Sequence, residues 1–292
     1  MPALSFLLLI AFPFSVLAQF LDGDCAVQTN ANNSSSPWIT FLHTTDLMFV
    51  CLGTLISQKL IMTAAHCVLS NAQLIARFGE FIETSGENTF TVEYKVRETC
   101  SHPYFDIDTY DNDIALLELA TNVVYTGEFD SNYFKKTMIT IFSIIDYIRP
   151  ICIVWNRSWK RYIDNIQDLK GYVWGKPLNG KDSGRRLVEI RRQPAEVCHN
   201  YINSTMGNIM SNQFCAGDSE SDLCNAESSS PLVAIISYRN LRRYVQIGIA
   251  TTNQKCKMPS IYTDVMSHID FILRIWRFYG NGQSAMIPSS TT

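Results

Sequence analysis

Basic residues are missing from the front of this chain: no Lys or Arg occurs before Lys59. Residues 19–58 therefore offer no site for cleavage after a basic side chain. An excess of either charge is lacking as well, with 24 Lys and Arg against 27 Asp and Glu. A near-neutral chain has no general pull toward nucleic acid or anionic lipid, so neither nucleic acid nor membrane is expected as a partner. Beyond residue 18 no apolar run is long enough to cross a bilayer as a helix. No glycine-rich phosphate loop and no cluster with metal-ligand spacing occurs, and a bound calcium has no convincing ligand set, so no cofactor and no metal are expected. Helical spacing is confined to Val265, Ile269, Ile272 and Trp276 near the end, which excludes a helix bundle.

The chain opens with an apolar segment, residues 1–18, that ends in small residues at Val16 and Ala18. This is the pattern of a secretory signal removed before Gln19, and the product is expected to be secreted and extracellular. Nine cysteines in such a chain imply disulfides with one thiol left over. Asn32, Asn33, Asn156 and Asn203 each begin an N-x-Ser/Thr acceptor. Glycosylation is expected at Asn33, Asn156 and Asn203, the first standing for an adjacent pair that would not both be modified. Two arginine groups, Arg185-Arg186 with Arg191-Arg192 and Arg242-Arg243 near Arg239, read as solvated hairpin faces, with a heparin-like partner as the alternative.

Residues 19–36 are polar, Asn- and Ser-rich, and read as poorly ordered apart from Cys25. From Pro37 the texture changes to short β-rich runs: 38–43, 49–56, 60–65, 74–78, 89–96 and 114–119, then 171–174, 187–191, 231–237, 244–251 and 260–265. Turn residues separate them at intervals of about ten, the signature of a sandwich or barrel. The remaining chain is long enough for one large all-β domain or two small ones. The tail after Gly280 reads as disordered. One segment, 127–145, does not fit. Its apolar half, Met138 to Ile145, would be an aggregation-prone edge if exposed. It is either a genuine surface insertion or a retained intron. Gly127-Glu128-Phe129 can be coded with a donor-like GTGAGT and Ile145-Asp146 with an acceptor AG, so its removal joins Thr126 to Asp146 in frame.

Three stretches carry chemistry. Thr-Ala-Ala-His-Cys at 63–67 follows an apolar strand, and Cys51 and Cys67 could lock the turn that presents His66. Asp-Asn-Asp-Ile-Ala-Leu-Leu at 111–117 puts Asp113 at the mouth of a buried strand, where its carboxylate could orient an imidazole. Cys-Asn-Ala-Glu-Ser-Ser-Ser-Pro-Leu at 224–232 is a turn held between a cysteine and a proline, with Ser228 inside it. A base beside a serine, and an acid fixing that base's tautomer, make an activated nucleophile.

With Val173-Trp174-Gly175-Lys176, Phe214-Cys215-Ala216-Gly217 and Pro259-Ser-Ile-Tyr262-Thr-Asp-Val265, these motifs give the chain a specific resemblance to chymotrypsin-like (peptidase family S1) serine proteases of the trypsin-like extracellular kind. The resemblance covers about residues 37–279. It implies an all-β fold of two six-stranded antiparallel β-barrels with a C-terminal helix: a first barrel over about 37–126, the insertion 127–145, a second barrel over about 146–264 and a helix at 265–278, with 280–292 as a tail. It implies His66 as general base and acid, Asp113 as its orienting partner and Ser228 as nucleophile. Ala226 and Ser228 would supply the oxyanion N–H pair. Asp222, Thr251, Asn253 and Ser260 would line the substrate site, with Asp222 selecting a Lys or Arg side chain by a charge-assisted contact. The implied disulfides are Cys51–Cys67, Cys198–Cys215, Cys224–Cys256 and Cys25–Cys152, leaving Cys100 unpaired. Protein or peptide substrates, protease inhibitors and other extracellular proteases are the implied partners.

The chain departs from the family pattern at the nucleophile. Gly-Asp-Ser-Gly-Gly-Pro becomes Ala226-Glu227-Ser228-Ser229-Ser230-Pro231. The Cβ of Ala226 restricts the backbone that would bind the oxyanion, and loss of one such donor costs about 10²–10³ in turnover. Family members are cut after a basic residue, and the new terminus pairs with the acid before the nucleophile. Only AVQTNANNSSS lies between Cys25 and Pro37, with no basic residue, so Glu227 is left without that ammonium. Thr251-Thr252-Asn253 and Ser260 narrow the entrance to the pocket. Two readings follow: a trypsin-like endopeptidase with weak activity, or a non-catalytic serine protease homologue acting as a binding or regulatory protein.

Overall fold

The computed structural model describes residues 20–28, 36–69, 72–79, 91–125, 148–175, 184–199, 209–217, 228–251 and 259–280. Twelve strands close into two antiparallel barrels. The first contains β1 (Ile39–Thr44), β2 (Phe49–Ser57), β3 (Leu60–Thr63), β4 (Leu74–Phe78), β5 (Val92–Ser101) and β6 (Ala115–Leu119), in the spatial order β1-β2-β3-β6-β5-β4. The second contains β7 (Asp168–Gly175), β8 (Gly184–Gln193), β9 (Gln213–Ala216), β10 (Pro231–Tyr238), β11 (Leu241–Ala250) and β12 (Ser260–Asp264), ordered β10-β11-β12-β9-β8-β7. Among the described strands, closure leaves no free sheet edge to pair with another chain.

The local sequence accounts for the strands. β2, β3 and β6 are almost wholly buried and rich in Leu, Ile and Thr, as strands packed on both faces must be. β10 and β11 meet at the two-residue turn Arg239-Asn240, both in the left-handed region (φ 49° and 63°) that matches the twist of a hairpin. Gly53 lets β2 approach its neighbours: a Cβ there would lie 2.6 Å from the Ile61 methyl and 3.0 Å from Thr40. The core is continuous between barrels, because Trp38 at the start of β1 packs on Tyr172 of β7 and Tyr244 of β11, with ring centroids 6.2 and 5.1 Å away. Among the described strands of the first barrel, one acid is buried. Glu118 on β6 is 1% exposed and answers both Arg97, through two hydrogen bonds, and Lys59 at 3.2 Å.

Several expectations are corrected. Residues 20–28 are ordered: Phe20, Leu21, Cys25 and Ala26 are buried, and the segment pairs with 150–154 and with β11 through Phe20↔Val154 and Val27↔Arg243. Cys25–Cys152 fastens it there, 127 residues apart in sequence. Helix is not confined to the end, since α1 (Lys160–Asp164) and α2 (Ala195–His199) precede the C-terminal α3 (Ile269–Ile275). Both are single turns, too short to show helical spacing. β9 was not among the expected runs. The arginines are not all solvated: the Arg192 guanidinium lies 3.9 Å over the Phe214 ring, and Arg243 donates to the Cys25 carbonyl at 2.6 Å. Burial holds both guanidinium groups below their usual pKa. The segment 127–145, the tail from 281, and Asn33 and Asn203 lie outside the described residues. Asn156 is described, with its side-chain oxygen accepting from the Ser158 N–H at 3.0 Å.

Candidate active site

β3 ends at Thr63, and the chain enters a single 3₁₀ turn, Ala65–Val68. The Cys51–Cys67 disulfide ties that turn back to β2, so His66 is held at the rim of the first barrel. Asp113, fully buried, stands just before β6. One carboxylate oxygen accepts the His66 backbone N–H at 2.9 Å, and the other lies 2.7 Å from His66 Nδ1. A carboxylate accepts, so in the neutral imidazole Nδ1 carries the ring proton and Nε2, which lies 3.5 Å from Cys67 Sγ, keeps its lone pair.

The approach to Asp113 is strained and braced. Tyr110 and Asn112 both have left-handed backbones (φ 53° and 56°). Asn tolerates this, whereas Tyr does so at a cost of about 1–2 kcal/mol. Side chains of the second barrel hold the loop in place. Gln213 donates to the Tyr110 carbonyl at 2.8 Å, Asn212 to Asn112 Oδ1 at 2.9 Å, and the Thr263 hydroxyl to the Asp113 carbonyl at 3.2 Å. The Tyr110 ring meets His66 edge-on at 5.6 Å. Behind the loop, buried His268 directs Nδ1 to the Asp264 carbonyl at 2.7 Å and meets the His102 ring edge-on at 5.4 Å. Burial pushes the pKa of both imidazoles down, and for His102 the neighbouring His268 adds to it.

Ser228 lies shortly before β10 of the second barrel. It is half-buried, and its carbonyl accepts the Leu52 N–H of β2 at 3.2 Å. Ser229 is 1% exposed and left-handed (φ 68°), a geometry suited to glycine. Its N–H donates to the Ala250 carbonyl at 3.1 Å. Its hydroxyl accepts the Ala64 N–H at 2.8 Å and lies 2.8 Å from Thr63 Oγ1. Thr63 Oγ1 is also 2.8 Å from the Leu52 carbonyl, which can only accept. Thr63 therefore spends its proton on Leu52, and Ser229 donates to Thr63. Ser230 turns its hydroxyl to the Tyr172 carbonyl at 3.2 Å.

The structure thus brings His66 and Asp113 into direct contact and sets the Ser228–Ser229 backbone against β2 and the strand end that leads to His66. Thr251 is fully buried, with its hydroxyl donated to the Ile261 carbonyl at 3.0 Å. Ser260 is half-buried on β12, opposite Ala216. Asp222, Ala226 and Asn253 lie outside the described residues, as do Cys224 and Cys256. Cys198–Cys215 is formed, and Cys100 is half-buried with a free thiol. The sulfurs of Cys51 and Cys67 lie near His66, but joined in a disulfide they lack the thiolate charge that holds a metal. Sequence reasoning missed the Ser229 hydroxyl clasp and the Gln213, Asn212 and Thr263 braces. Serine at a glycine position was the visible signal for the first; nothing local marked the others.

The family model described as Trypsin matches residues 26–272. The chain belongs to the trypsin family. Among curated relatives it is 27% identical over 244 residues to the CLIP domain-containing serine protease B15 of Anopheles gambiae, covering 76% of this chain and 60% of that one. It is 26% identical over 257 residues to the proclotting enzyme of Tachypleus tridentatus, covering 81% and 62%. This trypsin-family chain therefore spans about three-fifths of the length of those two relatives. Its fold is similar to that of the Drosophila Grass clip serine protease of the Toll pathway, with a TM-score of 0.66 and 22% identity, over 88% of this chain and 75% of that one.

Proposed function

We propose that the chain is a secreted trypsin-like serine endopeptidase of low turnover, cutting after Lys or Arg. The observation that carries this reading is the double grip of Asp113 on His66, which leaves Nε2 as the proton acceptor. Ser228 Oγ attacks the scissile carbonyl carbon as its proton passes to His66 Nε2. The tetrahedral intermediate collapses as the C–N bond breaks and the proton moves from His66 to the departing amine. Water, deprotonated by His66, then releases the acyl group and returns the proton to Ser228. Asp222 receives the basic side chain, with Thr251, Asn253 and Ser260 along the substrate strand.

Low turnover follows from the sequence around the nucleophile. Ala226 replaces the oxyanion glycine, and the stretch between Cys25 and Pro37 holds no Lys or Arg at which cleavage would create an ammonium to pair with Glu227. The same substitutions favour a second reading, a serine protease homologue that binds substrates, inhibitors or other extracellular proteases without cutting. Secretion rests on residues 1–18 and on the disulfides. The test is to express the full chain in secreting cells, label it with a fluorophosphonate and offer it a Lys or Arg peptide ester. Labelling and slow ester cleavage, both lost in Ser228→Ala, support the enzyme; a folded, secreted chain that does neither supports the homologue.

A further inference from the structure

We propose that Ser229 is a positioning residue, holding Ser228 in register with His66 through a side-chain clasp that does not depend on an inserted amino terminus. The proposal rests on the reading of Ser228 as nucleophile.

The hydrogen bonds around this pair run to both barrels. On one side, Ser229 N–H reaches the Ala250 carbonyl at the end of β11. On the other, Ser229 Oγ takes the Ala64 N–H and donates to Thr63, and the Ser228 carbonyl takes the Leu52 N–H. Ala64 stands two residues before His66, so the link from nucleophile to base passes through one hydroxyl and a short rigid turn locked by Cys51–Cys67. Every proton in the chain Ser229–Thr63–Leu52 has a determined direction, which fixes the Ser229 rotamer. A glycine would adopt φ 68° without strain, so the serine is not required by the backbone; it contributes the hydroxyl.

This bears on how the site is assembled. The family pattern makes the loop depend on an ammonium inserted beside the acid before the nucleophile, and residues 19–58 supply no basic cleavage site to create one. The Ser229 clasp needs no cleavage. It fixes the carboxyl-terminal side of the nucleophile in the chain as synthesised, so Ser228 Oγ attacks the phosphorus of a fluorophosphonate and displaces fluoride without proteolytic activation.

The experiment uses the full secreted chain and Ser229→Gly, read in three ways: fluorophosphonate labelling rate across pH, amide exchange at Leu52 and Ala64, and melting temperature. We expect the uncleaved wild-type chain to label. Ser229→Gly should lose up to about 10²-fold in labelling rate per folded molecule, with the midpoint of the pH profile unchanged because the His66–Asp113 pair is intact. The Leu52 amide, which reports the Ser228 carbonyl, should exchange faster, together with that of Ala64. A labelling rate unchanged in the variant overturns the proposal whatever the melting temperature does, since a purely structural role lowers stability alone. If wild type does not label, the reading of the nucleophile fails, and the Leu52 amide decides: unchanged exchange in Ser229→Gly overturns the positioning role as well. Should Ser229→Gly fail to fold, Thr63→Val, which removes the hydroxyl that Ser229 donates to, supplies the same readouts.

Discussion

Asp113 holds His66 at two points, the backbone N–H at 2.9 Å and ring Nδ1 at 2.7 Å, from a position with no exposure to solvent. One carboxylate thus sets both where the imidazole stands and which nitrogen carries its proton. Asp113→Asn keeps the shape but offers an N–H to Nδ1, which moves the ring proton to Nε2. Labelling of Ser228 should fall by about 10⁴ with little change in melting temperature. A loss of less than about tenfold would mean that the tautomer is not set by Asp113.

His268 makes stability depend on pH. Its native pKa is lowered, chiefly by burial, so the unfolded chain takes up a proton near pH 6.5 that the native chain refuses. Between that value and the lower native one, unfolding binds protons, and stability falls as pH falls. His102, lowered by burial and by His268, acts in the same direction. Denaturant titrations from pH 7.5 to 5 should show this slope, and His268→Gln should flatten it. An unchanged slope in the variant would place the effect elsewhere.

Glu118 is buried between Lys59 and Arg97, whose side chains are 20% and 49% exposed. Removing the acid strands Lys59 more than Arg97. Glu118→Ala should cost about 2 kcal/mol, below the usual cost of breaking a fully buried pair because both cations reach water. Chemical denaturation measures it, and a neutral result would contradict the burial argument.

The Cys100 thiol is raised by burial, only partly offset by its hydrogen bond to Tyr279. Alkylation by iodoacetamide at pH 8 should be slower than for an exposed cysteine and should speed up on unfolding. Reaction at the exposed rate in the folded chain would contradict it.

Restoring the family residues beside Ser228 should not restore turnover. Ala226→Gly with Glu227→Asp repairs the oxyanion backbone but supplies no inserting ammonium, so ester cleavage should stay close to that of the parent. Strong activity in the double variant would show that the activation argument is wrong.

Short apolar runs such as 60–65 and 114–119, separated by turn residues, disclosed a sandwich or barrel, and the family resemblance implied two barrels. Cys51–Cys67 and the motif around His66 are local, so the turn that carries His66 could be read directly. What escaped was long-range. The order of residues 20–28 comes from Cys25–Cys152 and from pairing with 150–154 and with β11, all distant in sequence. Ser229 shows in the sequence only as a serine at a glycine position of the family pattern; that its hydroxyl meets residues 63 and 64 depends on the docking of two barrels, which no local pattern encodes.

The central claim is that Ser228 is a nucleophile driven by His66. The most direct measurement is mass spectrometry of the intact, uncleaved secreted chain after fluorophosphonate treatment, with the adduct mapped. The account predicts a single adduct on the peptide carrying Ser228, abolished in His66→Ala. A folded chain that carries no adduct, or one whose adduct survives His66→Ala, would contradict it.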